Sequence, residues 1–171
     1  MMTLEEIRSA QINPTAAREA YNHADRRLMD TLETKKFFEQ KAFTLFGAYV
    51  TAATALFGIG AALLKDNYWN YLSTPFFVSA SVFVVGAIFF VLALMDKTYG
   101  ALASDPDMWL KSGTIDGDDS VVPLMLAYIT YYHKERISKS TDANNSKAAK
   151  IRLGIYCGVC APLIMFIATL I

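Results

Sequence analysis

Charge is missing from three long stretches of this 171-residue chain. Ala42 to Leu64 gives 23 uncharged residues, Phe76 to Met95 gives 20 and Leu153 to Ile171 gives 19. Histidine occurs only twice, cysteine twice and proline five times. No serine stands in a Gly-x-Ser-x-Gly elbow, no Gly-x-x-x-x-Gly-Lys can cradle phosphate, and no Gly-x-Gly-x-x-Gly follows a strand. These absences argue against a serine hydrolase, a P-loop nucleotidase and a dinucleotide enzyme, and the expectation is a protein that is not an enzyme and carries no cofactor. The uncharged runs also argue against a secondary transporter, because moving coupled charge needs ionisable groups at membrane depth. No internal repeat or low-complexity stretch is present.

What fills the three runs is apolar. Hydrophobic residues make up 54% of the chain and the mean hydropathy is positive, which is rich for a soluble globule of this length. A bilayer core of roughly 30 Å needs about 20 helical residues, so each run is long enough to cross. The first run follows 41 mostly polar residues, whereas a secretory signal begins near the start, so it is read as a span. The competing reading is a hydrophobic bundle buried in a larger complex. The expected fold is an all-α membrane protein with three transmembrane helices. Residues 1–41 form a cytoplasmic helix, 42–95 a transmembrane hairpin, 96–152 a cytoplasmic helical segment and 153–171 the third transmembrane helix.

Lysine and arginine set the orientation. Residues 1–41 hold Arg8, Arg18, Arg26, Arg27, Lys35, Lys36 and Lys41, the link between spans one and two holds Lys65 alone, and residues 96–152 hold the other eight. Positive residues stay inside, so the N-terminus and the third segment are placed in the cytoplasm of a bacterial inner membrane, with the C-terminus outside. Tyr68, Trp69 and Tyr71 fall in the expected outer turn, Asn67 to Thr74, at headgroup level.

Asn13-Pro14-Thr15 is a helix start, with side-chain acceptors for free amides and proline in the first turn. Neither glycine nor proline occurs from Thr15 to Phe46, so this helix is expected to run unbroken into span one. Ala17, Tyr21, Ala24, Leu28, Thr31 and Leu32 recur at three- and four-residue intervals, a stripe that wants a partner, either the third segment or another subunit. In the third segment Ser104-Asp105-Pro106-Asp107 opens a helix with Met108, Trp109 and Leu110 as an apolar anchor. Gly113 to Asp119 breaks it, and Asp118, Asp119 and Ser120 cap a second helix with Pro123 in its first turn. Val122, Met125, Leu126, Ile129 and Tyr132 are expected to share its face. Ser138 to Ser146 reads as a turn, after which Lys147, Lys150 and Arg152 snorkel at the interface.

His23 and His133 are read as surface polar residues. Cys157-Gly-Val-Cys160 has thiol-pair spacing but lies in an apolar run, so structural cysteines are expected, and Asp116-Gly-Asp-Asp119 lacks the glycine and glutamate of a calcium loop. No metal site is expected. Small residues mark helix-packing or pore-lining faces: Gly47, Thr51, Ala55, Gly58 and Ala62 in span one, Gly154 and Gly158 in span three. They serve either packing of three spans within one chain or homo-oligomerisation. In an oligomer Thr44, Thr51 and Thr54, or Ser79 and Ser81, can line a polar path, unless each hydroxyl bonds its own backbone carbonyl. On the cytoplasmic side Arg26, Arg27, Tyr132, Lys134 and Arg136, with Tyr128, Tyr131, Arg18, Lys35 and Lys36 nearby in sequence, combine aromatic faces and cations. That chemistry suits a nucleotide or oligonucleotide ligand; attraction to anionic lipid explains the same cations.

Glu33-Thr-Lys-Lys-Phe-Phe-Glu-Gln-Lys-Ala42 running into a two-span hairpin, with Ser104-Asp-Pro-Asp-Met-Trp-Leu110 and then Ile137 to Ala149 after it, resembles the small bacterial membrane effectors of anti-phage defence. These are the SLATT-type, Pycsar and Hailong membrane proteins. The resemblance is architectural, and this chain adds a third apolar run to the two-span pattern. It implies a homo-oligomer in the lipid bilayer that permeabilises the membrane under a nucleotide-derived signal from a partner enzyme. The reading from a different class is a structural membrane anchor that docks a soluble enzyme.

Overall fold

The computed structural model describes Ile7 and residues 12–65, 73–95 and 121–170, with side chains to residue 168. The described residues form three helices: α1, Pro14–Lys65; α2, Ser73–Leu94; and α3, Val121–Leu170. The expected outer-turn aromatics, the Met108-Trp109-Leu110 anchor and the Asp116–Asp119 acids lie outside the described residues. All three helices contain a stretch long and apolar enough to span a membrane.

α1 begins where its local chemistry says it should. The Asn13 side-chain oxygen accepts from the Thr15 amide at 2.9 Å and the Ala16 amide at 3.4 Å, and Ala17 N–H donates to the Asn13 carbonyl at 3.0 Å. The helix runs for 52 residues, unbroken through the stretch that lacks glycine and proline and on into the first apolar run.

α3 corrects the expected turn at Ser138–Ser146, because it is one helix of 50 residues. Neither glycine nor proline occurs between Leu124 and Leu153, and the polar residues that suggested a turn are used by the helix. Thr141 donates to the Ile137 carbonyl at 2.7 Å, and Lys139 bridges Glu135 one turn back at 2.6 Å, which holds the Glu135 carboxyl below its ordinary range. Ser140 and Asn144 are buried rather than looped out.

The chain forms two compact units, and two of the boundaries between them fall within α1 and α3. One unit comprises residues 1–34 and 98–143. Its described interior holds Ala17, Leu28, Met125, Ile129 and His133, with Tyr21 against His133 at a ring separation of 5.8 Å. The α1 stripe therefore packs on α3. His133 corrects the expectation of a surface residue, being only 5% exposed, whereas Tyr132 is 45% exposed. Position 133 lies one turn beyond Ile129, as Ile129 lies one turn beyond Met125, and Tyr21 of α1 packs against its ring.

The other unit comprises residues 35–97 and 144–171 and carries the three apolar stretches. Its core is Ala42, Tyr49, Ala87, Phe90, Ala93 and Ile151, flanked by Phe38, Leu45, Phe83 and Ile155. Tyr49 makes edge-on contacts with Phe83 at 5.1 Å and Phe90 at 4.9 Å. Most of the apolar surface remains uncovered: only 17%, 33% and 17% of the most hydrophobic windows of α1, α2 and α3 are buried. Water is a poor solvent for such a surface.

Candidate functional site

The inward positions of the long helices repeat at alternating steps of four and three. In α1 they are Ala17, Tyr21, Ala24, Leu28 and Thr31, then Lys35, Phe38, Ala42, Leu45 and Tyr49, all buried or half-buried. In α3 they are His133, Ile137 and Ser140, then Asn144, Lys147, Ile151, Gly154, Gly158 and Ala161. This is the 3.5-residue period of helices packed side by side. In α3 it passes through polar residues, so hydrophobicity alone does not reveal it.

Lys147 is the extreme member of that seam. It corrects the expected snorkelling residue, because it is 1% exposed and its ammonium meets the Glu39 carboxylate at 2.6 Å. Lys150 reaches the Leu92 carbonyl at 3.4 Å, and Arg152 is exposed. A buried ammonium is stable only with such a partner, so the pair fixes the register of α1 against α3 at this level.

Above the pair, glycines of α2 and α3 make room for aromatic rings. A Cβ at Gly154 would lie 2.6 Å from the Phe90 ring, one at Gly86 would lie 2.6 Å from the Tyr49 ring, and one at Gly158 would fall on the Tyr49 hydroxyl. Gly154 and Gly158 are therefore filled from within the same chain. Gly47 and Gly58 differ, with no described residue within 4 Å of a Cβ, and Thr51, Ala55 and Ala62 on the same face are exposed.

Hydroxyls follow the same division. Thr51, Thr54 and Ser81 donate to the Gly47, Val50 and Phe77 carbonyls of their own helices at 2.8 to 2.9 Å. Ser79 is buried and donates to Ala161 of α3 at 3.1 Å, which removes it from any path between chains. Thr44 is exposed on α1. Cys157 is half-buried and Cys160 exposed on α3, both as free thiols.

The five residues expected to hold a ligand all lie in the first unit. Arg26 and Arg27 are exposed on α1, Tyr132 and Lys134 are exposed on α3, and Arg136 is half-buried. Tyr132 and Arg136 are one turn apart and share a side, whereas Lys134 lies across the helix from Tyr132, beyond buried His133. No metal-holding cluster occurs among the described residues.

A cleft of about 450 Å³ in this unit was not foreseen. Pro14, Thr15 and Arg18 of α1 and Val122, Pro123 and Leu126 of α3 line it, and among these described residues Arg18 supplies the charged side chain. None of the five expected residues lines it. Its signal in the sequence is faint: two proline-marked helix starts and one arginine. The comparisons with known proteins add no name. No protein-family model, curated protein or solved structure matches the chain. The functional reading therefore rests on its residues.

The packing of the first unit perturbs His133. Burial pushes its pKa below the ordinary 6.5, Arg136 pushes it further down, and Asp25 opposes them. Its Nδ1 is buried without a hydrogen-bond partner among the described residues.

Proposed function

We propose that this chain is an oligomeric effector or ion channel of the bacterial inner membrane, in which the unit of residues 1–34 and 98–143 faces the cytoplasm and senses a nucleotide-derived signal. In this reading the signal gates permeabilisation of the membrane in anti-phage defence. The observation that carries the proposal is the contrast between filled and open glycines. Tyr49 and Phe90 occupy the space beside Gly86, Gly154 and Gly158, so a conducting path is expected between copies rather than through one chain. The face of Gly47, Thr51, Ala55 and Gly58 is open for close approach of a second α1.

Support for a sensed ligand comes from the first unit, where a cleft of small-molecule size carries the Arg18 guanidinium and the surface carries Arg26, Arg27 and Tyr132. Because α1 is one helix, a change of its packing in that unit would reach the α1 face used between copies. A trigger that prefers one of two arrangements shifts the population toward it. The resemblance to SLATT-type, Pycsar and Hailong membrane proteins points the same way and supplies the expectation of a signal-making partner enzyme.

The alternative is a membrane anchor that docks a soluble enzyme. It is favoured by exposed Met29, Val122 and Tyr132 in the first unit. Proteoliposome flux in the presence of cyclic mononucleotides, cyclic dinucleotides and short oligonucleotides separates the two. Ion release with one of these classes, matched by growth arrest and loss of membrane potential in cells, supports the effector. A stable soluble partner in detergent with no current under any of them supports the anchor.

A further inference from the structure

The described interior of the first unit is built from small and aliphatic side chains, Ala17 and Leu28 of α1 with Met125 and Ile129 of α3, and from one ionisable ring, His133. We propose that His133 is a proton-operated latch, which holds residues 14–34 of α1 on α3 while its ring is neutral and releases them when the ring takes up a proton. The latch would regulate the packing change on which the effector reading rests, but its opening can be measured without any ion flux.

His133 is 5% exposed, and its ring faces Tyr21 at a centroid separation of 5.8 Å and an interplanar angle of 32°. Its Nδ1 is buried without a hydrogen-bond partner among the described residues. A neutral imidazole is tolerated in this place, because an unprotonated Nδ1 is an uncharged acceptor. Protonation makes both ring nitrogens donors and puts a charge where water is excluded. Burying such a charge without a bonded partner costs far more than burying a neutral polar atom.

The charges around the ring set the direction. Among the described residues the titratable and charged groups that face it are Tyr21 and Asp25 of α1 and Arg136 of α3. Asp25 favours the imidazolium, but burial first and Arg136 second oppose it more strongly, so the His133 pKa lies below 6.5. The packed arrangement therefore binds the proton more weakly than one in which the ring reaches water. Between the two values, each pH unit downward multiplies the opened population by up to about tenfold.

What opens is the lightly held part of α1. Its inward line is Ala17, Tyr21, Ala24, Leu28 and Thr31, in which two alanines and a threonine bury little apolar area per turn. Both histidines of the chain belong to this unit, and residues 35–97 and 144–171 contain none. Mild acid is therefore expected to act on the first unit and to spare the other.

The test is hydrogen exchange of the full chain in detergent from about pH 7.5 to about pH 5, with each rate expressed as protection relative to the intrinsic rate at that pH. A segment of about 20 residues released from its partner helix is only marginally helical in water, so its amides exchange when the latch opens. We expect protection of residues 14–34 and 121–143 to fall by about tenfold or more, while residues 42–60 and 147–165 keep theirs. His133→Phe should keep its protection in acid. Asp25→Asn removes the acid that favours the imidazolium, so the fall should continue to lower pH than in the parent chain. His23→Gln, at an exposed position of α1, is the control and should leave the fall unchanged.

Protection that does not change with pH, or that falls equally in His133→Phe, overturns the latch. A fall of the same size in both units overturns it too, since acid would then act on the whole fold. Should His133→Phe not fold, Asp25→Asn decides: a fall over the same pH range as in the parent means that the charge on His133 is not what opens the unit. If the first unit opens while triggered ion release from liposomes is unmoved by acid, the latch stands and the effector reading fails.

Discussion

Inside the span-bearing unit the inward positions are Ala42, Tyr49, Phe90 and Ile151 with glycines around the rings, whereas inside the other unit Ala17, Leu28, Met125 and Ile129 share the interior with His133 and Ser140. Both units place inward residues at steps of four and three along the same two helices. They differ in what holds the helices together. The first relies on close approach and aromatic edges, tolerating one ion pair at its margin; the second relies on a thin apolar stripe beside a histidine. Packing of the first kind is unforgiving of added volume. Packing of the second kind is sensitive to protons.

The sharpest break in that comparison is Gly158→Leu. Even a Cβ there falls on the Tyr49 hydroxyl, and Tyr49 is hemmed in by Phe83 and Phe90. We expect a loss of more than about 3 kcal/mol, above the usual cost of overpacking, because the obstructing atoms have no free direction. Thermal unfolding in detergent should show it, and an unchanged midpoint would mean that Tyr49 does not occupy this space.

Next in size is Glu39→Ala, which leaves the Lys147 ammonium buried without its carboxylate. Breaking a buried pair costs about 3–5 kcal/mol, and the lower end applies because Glu39 is 33% exposed and water can reach the gap. The double variant Glu39→Leu with Lys147→Met removes both charges and should recover most of the loss. If the double variant is as unstable as the single one, the pair is not what joins α1 to α3.

Local signals made the helices legible. Three uncharged runs announced the apolar stretches, Asn13-Pro14-Thr15 announced the start of α1, and missing glycine and proline announced its length. The continuity of α3 was hidden because Ser140, Asn144 and Lys147, which look like turn or interface residues, occupy inward seam positions. A polar residue at such a position shows its role only once its partner is in place, and Glu39 is remote in sequence. The glycines were recognisable as packing sites, but spacing could not say which faced a ring of the same chain. Gly154 and Gly158 meet Phe90 and Tyr49, and Gly47 and Gly58 meet none of the described residues. The Arg18 cleft was illegible for the same reason, since it needs the starts of two helices to lie together.

A smaller effect sharpens the proton side of the comparison. His133 titrates in the folded unit below its ordinary 6.5, through burial first and Arg136 second, with Asp25 opposing and Tyr21 packed on its ring. Between the folded value and 6.5 the unfolded chain binds the extra proton, so stability is complete above about pH 6.5 and falls as pH drops toward the folded value. The slope is at most about 1.4 kcal/mol per pH unit. His133→Phe should flatten the decline between pH 7 and 5 when unfolding is followed in detergent. An equal decline in the variant would place the proton-sensitive group elsewhere.

The smallest expected effect on one chain is the most informative about copies. Gly58→Leu adds volume where no atom of the described residues lies within 4 Å, so the change in unfolding stability of a single chain should stay within about 0.5 kcal/mol. The same residue would stand in the way of a second α1 approaching along Gly47, Thr51, Ala55 and Gly58, where small residues alone permit close contact of backbones. Sedimentation in detergent should then show fewer subunits per particle than the parent chain, and any triggered flux from liposomes should fall with it. Gly154→Leu is the counterpart on the filled face and should lose stability before it alters association, because its Cβ meets Phe90 of the same chain. If Gly58→Leu leaves subunit number unchanged while Gly154→Leu lowers it without unfolding, the open and filled faces have been assigned the wrong way round, and self-association must use α3.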